Sequence, residues 1–74
     1  MNKSKLFGRI AALKGWTTLH FTESTIHISR KGKRFVTISI DQKGAIIVSD
    51  EMKNLTEDQV ISHLKETLEL KEGS

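Results

Sequence analysis

The 74-residue chain contains no cysteine and no proline. Without cysteine it can form neither a disulfide framework nor a thiolate zinc site, the supports that many domains of this size use. Without proline it is also poorly suited to extended interdomain linkers. A chain this short has room for only one core. We therefore expect residues 1–74 to form a single small domain, whose core carries the fold alone or is shared with a second copy.

Long hydrophobic runs are missing as well. No segment approaches the roughly 18 consecutive apolar residues that a membrane-spanning helix needs. The N-terminus is basic, but the apolar segment behind it is interrupted by Gly8, Arg9 and Lys14 and lacks a small-residue cleavage site. We therefore expect no export signal. Together with the absence of cysteine, this makes the cytoplasm the predicted location.

Motifs for catalysis are also absent. The sequence has no Ser-His-acid arrangement with a nucleophile elbow, no Gly-rich phosphate loop and no cysteine nucleophile. His20 and His27 could face each other across a hairpin, but two imidazoles without a neighbouring carboxylate or thiolate make a poor metal site. The third histidine, His63, is far along the chain. We expect no enzyme activity, no metal, no cofactor and no small-molecule substrate.

What the sequence does contain is an uneven distribution of charge. Residues 1–34 carry eight Lys and Arg and a single acid, Glu23, for a net charge of +7. Residues 35–74 carry four basic and eight acidic residues, for a net charge of −4. Such polarity can attract an anionic partner or drive head-to-tail self-association, and it can equally serve only solubility.

Helical spacing is confined to the two ends of the chain. The first predicted helix covers residues 4–14, with Ser4 as N-cap and Gly15 as the glycine that ends it. The second begins at the capping box of residues 56–59, Thr-Glu-Asp-Gln. A tail over residues 71–74 is expected to fray. The apolar positions that recur at helical spacing are Leu6, Ile10 and Leu13, then Val60, Ile61, Leu64 and Leu68.

Between the helices the apolar period is two, which is the pattern of strands. The predicted strands cover residues 16–21, 25–30, 34–40 and 45–49, and residues 50–55 are a predicted loop. The predicted fold is α+β: a four-stranded antiparallel meander with both helices packed on one face, in the order α-β-β-β-β-α. The turns place His20 opposite His27. Either Ile46 or Ile47 can face the core, because a one-residue shift exchanges them.

Two helices on one side leave the other side of the sheet uncovered, and we call that side the open face. By strand alternation it carries Trp16, Thr18, His20, Thr25, His27, Ser29, Phe35, Thr37 and Ser39. Four cations in residues 30–34, which we call the basic hairpin, lie at one end of it. The predicted partner-binding residues are Trp16, His20, His27, Arg30, Lys31, Lys33, Arg34 and Phe35.

Aromatic anchors inside a polar rim are typical of protein contacts. We therefore predict a protein partner, or a second copy of the chain, and no membrane. A nucleic acid is the alternative, because aromatic and basic side chains on a sheet can stack bases and neutralise phosphates. A third interpretation involves no binding: Trp16 folds over the sheet edge, Phe35 packs under a loop, and the basic hairpin is a solvated turn.

Two resemblances bear on these alternatives. The order of elements resembles the double-stranded-RNA-binding domain, which binds RNA partly through lysines at the start of its last helix. Here the corresponding residues 56–59 are acidic, and four strands are expected instead of three, so membership is not predicted. In size and charge polarity the chain also resembles phage and prophage accessory proteins, including anti-CRISPR-type inhibitors, which implies stoichiometric binding of a target.

Overall fold

The computed structural model describes residues 1–73 and has an α+β fold with a helix at each end of an antiparallel sheet. The predicted fold class is confirmed to this extent, but the predicted number of four strands is wrong, because the sheet has five. Each strand pairs with the next in a meander. The elements in chain order are α1 (Lys3–Ala12), β1 (Thr18–Thr22), β2 (Thr25–Ser29), β3 (Phe35–Asp41), β4 (Gly44–Ile47), a 3-10 turn (Val48–Asp50), β5 (Met52–Leu55) and α2 (Glu57–Thr67).

The additional strand, β5, lies in residues 50–55, for which the sequence predicts a loop. It pairs with β4 through Ala45 opposite Leu55 and Ile47 opposite Met52, with an irregularity between these pairs. Its sequence, Met-Lys-Asn-Leu, contains no β-branched residue, so local propensity gives no strand signal. The strand exists because the edge of β4 offers it hydrogen-bonding partners.

The packing of β5 on β4 depends on Gly44. The backbone of Gly44 has a φ of 141°, and a Cβ added there would lie 2.8 Å from the carbonyl oxygen of Leu55. Glu51 is also in the left-handed region, with a φ of 55°, and turns the chain back towards β4. Glycine at position 44 therefore allows a close approach of two backbones as well as the turn itself.

The first helix, α1, starts and ends earlier than predicted. Residues 4–14 were expected with Ser4 as N-cap, but the cap is Asn2, whose side chain accepts a hydrogen bond from the Lys5 N–H (3.0 Å). Asparagine and serine are about equally good caps, so the sequence pattern could not separate them. The helix ends before Leu13, which is extended and buried in the core.

The second helix, α2, begins at the predicted capping box. The Gln59 N–H donates to the Thr56 hydroxyl (3.2 Å), and the Thr56 N–H donates to the Gln59 side chain (2.8 Å). The same helix end binds α1, because the Arg9 guanidinium donates to Glu57 (2.8 Å) and Asp58 (2.7 Å). These two hydrogen bonds, first that to Glu57, raise the pKa of Arg9.

The registers of the sheet decide which residues face the helices. His20 lies opposite His27, as predicted. In the last hairpin, where the sequence allowed two registers, Ile47 is fully buried and Ile46 lies opposite Ser39 on the other side of the sheet. The sheet therefore has one consistently apolar side.

One hydrophobic core joins that side of the sheet to both helices. Since successive strand residues point to opposite faces, the alternate positions form the open face, over which no helix of residues 1–73 packs. The buried core residues are Leu6, Ile10, Leu13, Ile26, Ile28, Val36, Ile38, Ile40, Ala45, Ile47, Leu55, Val60, Ile61, Leu64, Leu68 and Leu70.

The segment after α2 returns to the start of the sheet. Leu70 is buried, and Lys71 pairs with Lys14 through two backbone hydrogen bonds of 2.7 and 3.0 Å. The tail that is expected to fray, residues 71–74, thus begins with a paired residue, and Ser74 lies outside the described residues. Within residues 1–73, no helix has the length and apolar character needed to cross a membrane.

Candidate binding surface

The open face is built from side chains that align across neighbouring strands. It contains no Lys, Arg, Asp or Glu and consists of threonine, serine and histidine with Phe35 and Ile46. The aligned rows are Thr18, Ser29 and Phe35; His20, His27 and Thr37; and Thr22, Thr25, Ser39 and Ile46. Because the strands fix these positions, the face is a preformed surface and needs no folding step to present it.

Three rings form a diagonal row across β1, β2 and β3. The ring centroids of His20 and His27 are 6.3 Å apart, and those of His27 and Phe35 are 5.9 Å apart. The His27 ring also lies 3.5 Å from the Thr37 hydroxyl, at the limit of a hydrogen bond. Phe35, at the end of the row, remains 54% exposed. The row is therefore aromatic and largely solvated.

The apolar character continues towards β4. Val48, in the 3-10 turn, is 53% exposed, and Ile46 of β4 is half-buried. Together with Glu51 and Lys53 these residues line a shallow depression of about 450 Å³. Neither Ile46 nor Val48 was among the predicted partner-binding residues. The register of the last hairpin would have identified Ile46, but the sequence left that register open.

Trp16 does not lie on the open face, so its predicted placement is wrong. β1 begins at Thr18, and the strand alternation therefore does not extend back to residue 16. Gly15 does not end α1 as predicted; with a φ of 117° it forms part of the connection that directs Trp16 towards the core. Like Phe7 and Phe21, Trp16 is partly buried against the core, and its buried indole nitrogen has no hydrogen-bond partner within residues 1–73.

The cations of the basic hairpin are mostly engaged by the rest of the molecule. Arg30 lies on the helix side of the sheet, where its guanidinium donates to the carbonyl oxygens of Leu68 (3.1 Å) and Glu69 (2.7 Å). These are free carbonyls at the C-terminus of α2, and a cation there is favoured by the helix dipole. Arg30 therefore caps a helix.

Two further cations of the basic hairpin form ion pairs. Lys33 binds Glu69 at 2.8 Å, and this hydrogen bond and the charge behind it lower the pKa of Glu69. Arg34 binds Asp50. Lys31 differs from these three: its backbone N–H donates to the Thr17 hydroxyl (2.7 Å), and its side chain makes no ion pair within residues 1–73.

Asp50 also contacts His63, which the sequence places far from every other candidate residue. The His63 Nε2 lies 2.7 Å from the Asp50 carboxylate and 3.3 Å from the Thr67 hydroxyl. A catalytic relay needs the acid and the hydroxyl on different ring nitrogens, so that one orients the ring while the other moves the proton. Here both partners meet the same nitrogen. The cluster joins the 3-10 turn to α2 and has no relay geometry.

Within residues 1–73, the two open-face histidines have no third metal ligand beside them. In the described part of the chain, no group of three or more His, Cys, Asp or Glu residues could hold a metal ion.

A shallow groove of about 360 Å³ lies between β5 and α2 and is lined by Met52, Leu55, Asp58, Gln59, Ser62, His63 and Glu66. Its two carboxylates, Asp58 and Glu66, are eight residues apart on α2, about two turns of helix.

The predicted partner-binding residues thus fall into two groups. His20, His27 and Phe35 come together on the open face, whereas Trp16 joins the core and the basic hairpin mostly contacts α2 and the 3-10 turn. Comparisons with known proteins add nothing to this division, since no protein-family model, curated protein or solved structure matches the chain.

Proposed function

We propose that the protein is a non-catalytic binding module that engages a protein partner, or a second copy of itself, through the open face. The observation that carries the proposal is the exposure of Phe35, 54% of whose surface is accessible at the end of a row of three rings. A stoichiometric inhibitor or accessory protein of the phage type would work through such a surface.

Single exposed apolar residues are common, so exposure of Phe35 alone would carry little weight. Here, however, Phe35 is held on β3, and the half-buried Ile46 of β4 and the exposed Val48 of the 3-10 turn add further apolar surface. Serine and threonine hydroxyls surround these apolar groups. Apolar anchors enclosed by polar groups that can exchange hydrogen bonds are the usual arrangement of a protein interface.

Charge favours a protein over a nucleic acid as the partner. Binding to nucleic acid draws most of its affinity from cations that neutralise phosphates. In the basic hairpin, Arg30, Lys33 and Arg34 already bind carbonyl or carboxylate oxygens of the same molecule. Only Lys31 is left without such a contact in residues 1–73. The aromatic row still supports the nucleic-acid alternative, because exposed rings on a sheet can stack bases.

The proposal is tested by comparing two large-to-small changes of exposed apolar residues. Phe35→Ala should abolish capture of specific proteins from a lysate of the source cells, and at least a tenfold loss of affinity should follow when a captured protein is purified and titrated. Met52→Ala is the matched control, since Met52 is 37% exposed but lies on the helix side of the sheet. Unfolding experiments should show that Phe35→Ala changes stability by less than about 1 kcal/mol.

Equal capture by wild type and Phe35→Ala would contradict the proposal. The nucleic-acid alternative is examined by amide NMR titration with single- and double-stranded oligonucleotides at low and near-physiological salt. Shifts at His20, His27 and Phe35 that weaken steeply with salt would replace the protein partner by a nucleic acid. Absence of shifts at both salt concentrations is the expected result.

A further inference from the structure

The two edges of the sheet differ in how well they are protected from further strand pairing. β5, at one edge, has four residues, contains Lys53, pairs irregularly with β4 and includes a left-handed Asn54 (φ 58°). Short length, charge and irregular backbone are the usual protections of an edge strand. β1, at the other edge, has five residues, Thr-Leu-His-Phe-Thr, with no charged residue and no proline.

Hydrogen bonding defines which groups β1 presents at its free edge. The carbonyl oxygen of Ser24, the residue before β2, accepts from the Ile40 N–H of β3 at 2.8 Å. In an antiparallel ladder, successive residues of a strand bond to the neighbours on opposite sides. The backbone groups of Thr25, His27 and Ser29 therefore bond to β1. Their partners in β1 are Thr22, His20 and Thr18. The remaining two residues of β1 direct their N–H and C=O groups away from the sheet. These are Leu19 and Phe21.

The sequence of β1 reads alike in both directions: threonine, apolar, histidine, apolar, threonine. A two-fold axis at His20 would pair Thr18 with Thr22 and Leu19 with Phe21 of a second antiparallel copy. In that register the outward backbone groups of Leu19 and Phe21 face one another and form four hydrogen bonds. A two-fold interface requires this self-complementarity, since each residue pair occurs twice.

The side chains on the helix side of β1 are incompletely covered. Leu19 and Phe21 are half-buried, whereas the equivalent residues of β2, Ile26 and Ile28, are fully buried. Phe7 of α1 packs edge-on against Phe21, with ring centroids 5.0 Å apart. A second copy paired along β1 would place its own Leu19 against this Phe21, so the two cores would continue into each other.

We propose that the chain forms a two-fold symmetric dimer through antiparallel pairing of β1 with β1 of a second copy. The five-stranded sheets join into one sheet of ten strands. This inference goes beyond the proposed function because it concerns the edge of the sheet, whereas partner binding uses the open face. The dimer also brings the two His20 side chains together and aligns two aromatic rows on one continuous surface.

The first experiment is sedimentation equilibrium at concentrations from about 10 µM to about 1 mM, a range that covers weak and moderate dimers. His20→Lys places two like charges directly opposite each other at the axis, while leaving an exposed position of the monomer exposed. We expect it to raise the dimer dissociation constant about tenfold. His27→Lys is the matched control, because it adds the same charge one strand further from the axis, and should change that constant less than threefold.

A second measurement identifies the edge itself. Amide hydrogen exchange at Leu19 and Phe21 should slow as the protein concentration rises, because these N–H groups become bonded only in the dimer. A monomer at every concentration would overturn the proposal. So would a dimer that survives His20→Lys but is lost in Phe35→Ala, since that result would place the contact on the open face. A dimer that survives Phe35→Ala, as expected, leaves partner binding to be judged separately.

Discussion

The two faces of the sheet are made by the same strands but differ in composition and burial. On the helix side, Ile28 and Ile38 are fully buried, and every aligned position of β2 and β3 is aliphatic. On the open face, the residues between them are hydroxyl side chains, histidine and an exposed phenylalanine. The stability of the fold is thus concentrated on one side, and the composition of the other side is free to serve recognition. Substitutions on each face test this contrast.

The largest effect on stability is expected when a buried side chain on the helix side of the sheet is truncated. Ile38→Ala leaves a cavity in the middle of the sheet and should reduce the free energy of unfolding by about 2–5 kcal/mol, measured by urea denaturation. Its neighbour Thr37, on the open face, provides the comparison, and Thr37→Ala should cost less than about 1 kcal/mol. Similar losses for both variants would mean that the open face carries stability as well.

A smaller effect is expected in the basic hairpin, where Arg30 contacts the end of α2 and the side chain of Lys31 makes no ion pair within residues 1–73. Arg30→Gln removes the charged cap of α2 and should lower stability by about 1–2 kcal/mol. Lys31→Gln removes the same charge from a side chain without an ion pair in residues 1–73, and should change stability by less than about 0.5 kcal/mol. Thermal and urea unfolding of both variants would show whether the hairpin is a helix cap, and equal effects would contradict that role.

The smallest effect is a pH dependence at the Lys33–Glu69 pair. Lys33 lowers the pKa of Glu69 in the folded state, so the pair stabilises the protein above the ordinary glutamate pKa, roughly 4.3. This contribution is lost as the pH falls through the lowered value. The difference in urea midpoint between wild type and Glu69→Gln should therefore be small at neutral pH and vanish in acid. Because Lys33 is the main cause of the lowered pKa and the charge of Arg30 contributes less, Glu69→Gln made in a Lys33→Gln background should show a weaker pH dependence.

The sequence predicts those parts of the fold that depend on neighbours in the chain. The capping box at Thr56, the alternation in β2 and β3, and the pairing of His20 with His27 all follow from local residue chemistry. β5 and the direction of Trp16 could not be predicted in this way. The first depends on the free edge of β4, and the second on a left-handed Gly15 that interrupts the alternation before β1 begins.

The candidate site was predictable to a similar extent. The positions of His20, His27 and Phe35 follow from strand period and register, which are local properties. The contacts of Arg30 with the end of α2 span 38 and 39 residues of sequence, so no local sequence pattern predicts them. A run of cations therefore looked like a free surface, although three of its four members bind groups of the same molecule.

The backbone pairing of Lys14 with Lys71 has a consequence for how the chain acquires its structure. The hairpins join residues that are close in sequence, but this bridge and the burial of Leu70 join segments more than fifty residues apart. Closing such a distance is slow compared with forming a hairpin. During synthesis on the ribosome, the part of the apolar side that α2 and Leu70 cover therefore stays exposed until residues beyond Glu57 have emerged.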